Sequence, residues 1–272
     1  MLPRWIMIIL LFASCRLIAK GQSLSREQQN VLVMEARQHF QEGNALLSDS
    51  REEATSRYRQ ALLRYHRLIR EGGIENHLIY YNIGNIYLMQ DDVGRAILNY
   101  KRALQFNRHD ENLQKNLAYA RLQCRDQFGE QIQRRVLQTL FFWHYDLSLW
   151  SKFIIVLIIW NVLCLVGATG LILRQLGRVR LGLILIAMSG AALMASFAIQ
   201  WQQQYTASEG VIVASLTTAR QGDGLNYPES FDQPLHAGVE FELLEERSQW
   251  WRVRLPDGTD TWIPSDAGEK VF

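Results

Sequence analysis

The chain has 272 residues, with 29 Lys and Arg against 27 Asp and Glu and a formal net charge of +2, a balance that gives no footing for nucleic acid. Its three cysteines, Cys15, Cys124 and Cys164, cannot build a disulfide framework, because two of them fall inside apolar blocks. Apolar residues gather at the extreme N-terminus and over 153–173 and 181–199, a distribution that excludes an ordinary soluble enzyme.

The first 23 residues, "MLPRWIMIILLFASCRLIAKGQS", place Arg4 before an apolar run and small residues after it. That is the layout of a secretory signal, and the run is too short to span a bilayer comfortably. The expectation is a signal peptide over 1–21, cut before Gln22. "FASC" also resembles a bacterial lipobox with Cys15 as the lipidated residue, and both readings export the downstream segment.

Residues 25–125 contain no proline and many good helix formers, which predicts helices throughout. Tyr80, Ile83, Tyr87 and Leu88 form one stripe, Asp91, Asp92 and Gly94 a turn, and Ala96, Ile97, Tyr100, Ala103 and Leu104 a second stripe. The pattern resembles the tetratricopeptide repeat, with Tyr80, Ile83, Gly84 and Tyr87 at first-helix positions and Ala96, Tyr100 and Ala103 at second-helix positions. A weaker copy is read from Ala61, Tyr65 and Leu68, 35 residues earlier, with "SDSREEATS" as an elongated turn before it; "ENLQKNLAYARLQ" begins a helix that caps the stack. The resemblance implies a groove for an extended peptide or partner helix, lined by Asn82, Asn85 and Asn116, whose amides can bond a peptide backbone. Tyr81 stands where a carboxylate-clamping member carries Lys, which disfavours a C-terminal carboxylate ligand. The tyrosines otherwise read as interhelical core.

Residues 126–152 read as a juxtamembrane helix that meets the interface at Phe141, Phe142 and Trp143. Two uncharged runs come next, 153–173 and 181–199, each close to the roughly 30 Å of a bilayer's hydrocarbon core. They predict a transmembrane hairpin packed through small residues, Gly167, Gly170, Gly182 and Gly190 among them, with Asn161 as the strongly polar group at depth. The loop 174–180 carries Arg174, Arg178 and Arg180, and the positive-inside rule assigns it to the cytoplasm as a topology anchor. With the signal sequence, this makes both flanking domains extracytoplasmic.

From residue 209 the pattern changes to strands. "GVEFELLEE" puts Val239, Phe241 and Leu243 on one face, and "WWRVRL" puts Trp251, Val253 and Leu255 opposite Trp250, Arg252 and Arg254. Residues 209–272 predict a small barrel, and "LHAGVEFELLE", "WWRVRLPDG" and "TWIP" resemble the bacterial SH3-like domain, with Thr261 where Gly is common. Tyr227, Phe231 and Trp250 are candidates for a recognition surface, and Trp262 for the barrel interior.

The six histidines are scattered without metal-ligand spacing, and no nucleophile elbow, phosphate loop or dinucleotide fingerprint occurs, so neither enzyme nor cofactor is expected. The whole is a multidomain membrane protein: all-α repeat, two-helix hairpin, all-β small barrel. This order resembles the BatE-type proteins of Bacteroides aerotolerance operons. The resemblance implies a non-catalytic scaffold at the bacterial inner membrane with both soluble domains periplasmic, beside von Willebrand factor A-type membrane proteins and a MoxR-type ATPase, in envelope or oxidative stress. A peptidoglycan-binding module and a membrane-spanning stress sensor stay open as alternatives.

Overall fold

A computed structural model describes residues 24–108, 110–129, 147, 149–172, 176–206 and 208–272. The signal segment with Cys15, Arg174 and most of 126–152 lie outside the described residues.

Among the described residues five helices come first: α1 (Arg26–Leu46), α2 (Arg51–Arg70), α3 (His77–Met89), α4 (Val93–Phe106) and α5 (Glu111–Leu122). Each starts on a polar cap. Ser25 and Gln28 form a capping box, and Ser50, Asn76, Asp92 and Asp110 accept from backbone amides of the first turn. The Ser50 cap corrects the expected elongated turn. Arg51–Ser56 are helical, with Glu52 and Glu53 favourably placed in the first turn, and only 47–50 turn the chain.

That correction also resets the internal repeat. α1 packs on α2 and α3 on α4, and each hairpin closes on the same contact. A Cβ at Gly43 would sit 2.6 Å from the Tyr58 ring, and one at Gly84 would sit 2.6 Å from the Tyr100 ring. The Tyr58 hydroxyl donates to Asn44 Oδ1 at 2.8 Å and the Tyr100 hydroxyl to Asn85 Oδ1 at 2.7 Å. The counterparts of Ala96, Tyr100 and Ala103 are therefore Ala54, Tyr58 and Ala61, an offset of 42 rather than 35 residues. Tyr65 and Leu68, also fully buried, lie two turns further along α2.

Two helices, α6 (Leu149–Ile172) and α7 (Leu176–Thr206), pack on each other and are long and apolar enough to cross a membrane over Trp150–Gly170 and Gly182–Ile199. They expose Ile154, Ile158, Leu165, Leu185 and Met188, as a lipid-facing surface requires. Three expectations change here. Arg178 and Arg180 belong to the first turns of α7 rather than to a loop, because nothing between Leu176 and Leu181 stops the helix. At the other end α7 continues seven residues past Ile199, so the polar "WQQQYT" is helical too. Small residues do not all serve packing: a Cβ at Gly190 would meet Ile159 at 3.2 Å, but one at Gly167 or Gly182 would meet nothing within 4 Å. Asn161 donates to the Leu157 carbonyl of its own helix at 2.8 Å, satisfying its amide within α6.

The β-unit begins at Ser208. β1 (Ser208–Ile212), β4 (Glu240–Arg247), β5 (Trp250–Arg254), β6 (Asp260–Pro264) and β7 (Gly268–Lys270) form an antiparallel sheet in the order β6-β5-β4-β1-β7, and β2 (Leu216–Thr217) pairs with β3 (Leu235–His236). The expected alternation is present: Val239, Phe241, Trp251, Val253 and Leu255 are buried with Ile212 and Ile263, while Arg252 and Arg254 are exposed. Trp262 departs from expectation. In β6 it is Thr261 and Ile263 that point inward, and Trp262 lies partly exposed beneath the Arg247 guanidinium at 4.8 Å. Thr261, the departure from glycine, is buried; its hydroxyl bonds the Arg220 carbonyl at 3.0 Å and the Ser230 hydroxyl at 2.8 Å.

The helical unit and the β-unit dock on one another. Val211 and Val271 belong to the apolar core of the helices. Gly94 is one point of close approach, since a Cβ there would lie 2.8 Å from the Ile212 carbonyl oxygen. Arg102 donates to the carbonyls of Val271 and Lys270 at 2.9 and 2.8 Å, and the Phe272 ring stands edge-on to Tyr80 and Phe106. Residues 126–129, expected to start a juxtamembrane helix, are non-helical because this docking uses them: Asp126 Oδ2 accepts from the His236 amide at 2.5 Å and Phe128 packs on Phe231.

Candidate functional site

The helical unit presents two faces of opposite character. The first is an open groove of about 530 Å³ between α1, α3 and α5, lined by Phe40, Asn44, Leu47, Asn85, Leu88, Met89, Asn116 and Tyr119. None of these side chains is charged at neutral pH, and Leu47, Met89 and Tyr119 are exposed apolar or aromatic groups. α2 and α4 contribute no lining residue.

Asn85 Oδ1 accepts from the Tyr100 hydroxyl at 2.7 Å and from Asn116 Nδ2 at 2.9 Å, and Asn116 Nδ2 also reaches the Tyr81 hydroxyl at 3.0 Å. The oxygens of Asn44 and Asn85 are thus occupied by the tyrosines behind them. Their amide nitrogens find no acceptor among the described residues, and neither does Asn116 Oδ1 find a donor. The groove therefore offers two donors and one acceptor between apolar walls, a set that suits a main chain. Burial pushes the Tyr100 hydroxyl far above the ordinary phenol range, so it stays a donor at any working pH.

Of the three expected groove residues, the structure brings Asn85 and Asn116 together and sets Asn82 apart. Asn82 lies beside the buried Tyr65 hydroxyl, which makes no hydrogen bond of good geometry among the described residues. Asn44 is the groove residue the sequence reading missed. Its signal was there: "QEGNALL" and "NIGNIYL" repeat a Gly-Asn pair 41 residues apart.

The second face is charged and closed. Lys101 Nζ lies 2.8 Å from both Glu209 and Glu240, and Arg121 holds Glu240 through two hydrogen bonds of 2.6 and 3.0 Å. The Lys101 and Glu240 side chains keep only 13% and 19% of their exposure, so the centre of this ion cluster is shielded between the two units while Arg121 and Glu209 stand on its solvent side. Burial alone would raise the Glu240 carboxyl, but the Arg121 hydrogen bonds and the Lys101 charge outweigh it and hold the group at about 2. For Lys101 burial pulls downward, and Glu240 and Glu209 outweigh it upward.

Cys124, Asp126 and His236 converge at the same interface, a set that invites comparison with a nucleophilic site. Burial, with Glu240 and Asp126 adding to it, pushes the Cys124 thiol up to about 11, and Sγ lies 3.7 Å from the Ala120 carbonyl, so no thiolate is available. Asp126 Oδ1 lies 2.9 Å from His236 Nδ1 and its other oxygen binds the His236 amide, an arrangement that clasps chain to chain.

Of the expected surface residues Tyr227, Phe231 and Trp250, Trp250 alone lines a groove. Trp250 lines a shallow groove of about 360 Å³ with Leu216, Leu225, Arg220 and Pro264. Phe231 packs against the interior of the β-unit, and Tyr227 covers Gly222, where a Cβ would come within 2.4 Å of its ring. Of the three arginines expected to anchor topology, Arg178 and Arg180 open α7 and Arg174 is outside the described residues.

No protein-family model matches the chain, and a search of curated proteins finds no significant match.

Proposed function

We propose that the protein is a non-catalytic membrane scaffold whose helical unit, a tetratricopeptide-type array, binds a partner's extended segment in the α1–α3–α5 groove. The observation that carries the reading is the pair of hairpin asparagines, Asn44 and Asn85, each pinned by a buried tyrosine and each leaving its amide nitrogen unengaged by any described residue in an uncharged apolar groove. Two helices fit to cross a membrane keep that groove at a bilayer. The β-unit is read as an SH3-like barrel, and its groove at Trp250 supports a second, smaller contact, to protein or to peptidoglycan. Placement in the inner membrane with both units periplasmic, and a BatE-type role in aerotolerance beside von Willebrand factor A-type proteins and a MoxR-type ATPase, belong to the same proposal and rest on the resemblance of the domain order.

The test is crosslinking in the native membrane followed by mass spectrometry, with the full chain and with Asn85→Ala and Leu88→Arg. Partners lost in both variants support the groove. Partners retained in both remove it. Deleting the whole helical unit is a poorer test, because it also uncovers Val211, Val271 and Glu240 of the β-unit.

A further inference from the structure

We infer that Glu240 is a positioning residue for the groove: the β-unit grips the C-terminal end of α5 and so sets where that helix places Asn116 and Tyr119. The inference rests on the groove reading for its consequence, but its geometry is independent of any ligand.

α5 carries both faces of the helical unit. Arg121 lies five residues after Asn116, about 140° around a helix at 100° per residue, so one turns to the β-unit while the other turns to the groove. Leu113, Leu117 and Ala120 seat α5 on its neighbours. Its end is held from the other side by one short stretch of the β-unit, residues 236–240. Glu240 binds Arg121, with Lys101 tying the same carboxylate to α4. Gly238, at φ 102°, lets the chain pass the Cys124 sulfur so closely that a Cβ would be 2.5 Å from it. His236 is clasped by Asp126.

On the groove side Asn116 reaches Asn85 and Tyr81 at 2.9 and 3.0 Å, ordinary hydrogen-bond lengths that a displacement of α5 by about 0.5 Å would carry out of bonding range. A small shift of α5 therefore breaks the floor of the groove and carries Tyr119 with it. β1 begins two residues after Thr206, where α7 ends, and pairs with β4 so that Val211 stands opposite Glu240. Occupancy of the groove and seating of the β-unit are coupled through one helix.

Hydrogen exchange on the full chain in lipid nanodiscs tests this without a ligand, comparing Glu240→Gln and Arg121→Gln with Glu242→Gln, an exposed carboxylate on the same strand, as control. Either variant at the grip is expected to speed exchange across 111–122 by about tenfold or more, with the α1–α2 hairpin at its wild-type rate and the control unchanged. A role for Glu240 confined to its own sheet would instead loosen β4 and β5 and leave 111–122 alone. Wild-type exchange over 111–122 in both variants overturns the inference. Should Glu240→Gln unfold the sheet, seen as lost protection over 250–264, Arg121→Gln decides alone, since that residue lies outside the β-unit. Because no ligand is read, this result and the crosslinking result of the groove variants can fail separately.

Discussion

The two faces of the helical unit use polar groups in opposite ways. Toward the β-unit, the shielded pair Lys101 and Glu240 is flanked by the half-exposed Arg121 and Glu209, which balance its charge, and main-chain carbonyls of Lys270 and Val271 are taken up by Arg102. Toward the groove, asparagines half-satisfied by tyrosines sit among exposed apolar side chains. A buried ion cluster is costly to separate because each charge is left without its counterion. Uncharged amides and apolar walls release a ligand at little desolvation cost. One face is thus held closed by paired charges, and the face proposed to take a partner carries none.

The largest effect is expected from removing the buried ring behind the groove. Tyr100→Ala should cost about 3–5 kcal/mol in chemical denaturation, because it empties a fully buried site and frees Asn85. Next, Glu240→Gln should destabilise the docked state by about 3 kcal/mol, read as a lowered denaturation midpoint with Lys101 left to Glu209 alone. This effect should depend on pH. The Glu240 carboxyl is lower in the folded chain than its ordinary 4.5, so its contribution is complete above that value and fades as pH falls toward about 2. The gap in stability between wild type and Glu240→Gln should accordingly close over that window and stay constant from about pH 6 to 8, where neither state of this carboxyl changes charge.

Smaller still, Thr261→Val should cost about 1–2 kcal/mol by removing the Ser230 hydroxyl's partner and leaving the Arg220 carbonyl with the Trp262 amide alone, measured by thermal unfolding. At the bottom of the scale, Lys115→Ala breaks an exposed pair with Glu111 and should change stability by less than about 0.5 kcal/mol.

Periodicity made the elements legible. The alternation of Trp251, Val253 and Leu255 against Arg252 and Arg254 places the interior of the sheet correctly, because a half-buried strand needs period two. The uncharged runs likewise locate α6 and α7. The groove was half legible. Asn85 and Asn116 come out of the repeat pattern, but Asn44 was hidden by reading Arg51–Ser56 as a turn, which slid the first repeat by two helical turns. Charged, polar sequence looks like a loop until its cap is noticed. The docking of the two units was illegible. Lys101 and Glu240 lie 139 residues apart, and each alone reads as ordinary solvated charge. Nothing local marks a charge whose partner is set by tertiary packing. Phe231 misled for the same reason, since its aromatic partner Phe128 lies on the far side of the two apolar helices in sequence.

The central claim is that the uncharged groove is the face that engages a partner. A photocrosslinking side chain placed at Met89, in the groove, and another at Leu63, more exposed still and on α2 away from it, put the claim to the test in native membranes. The predicted result is a discrete adduct at Met89, abolished by Asn85→Ala, and none at Leu63. An adduct at Leu63 with none at Met89 would contradict it.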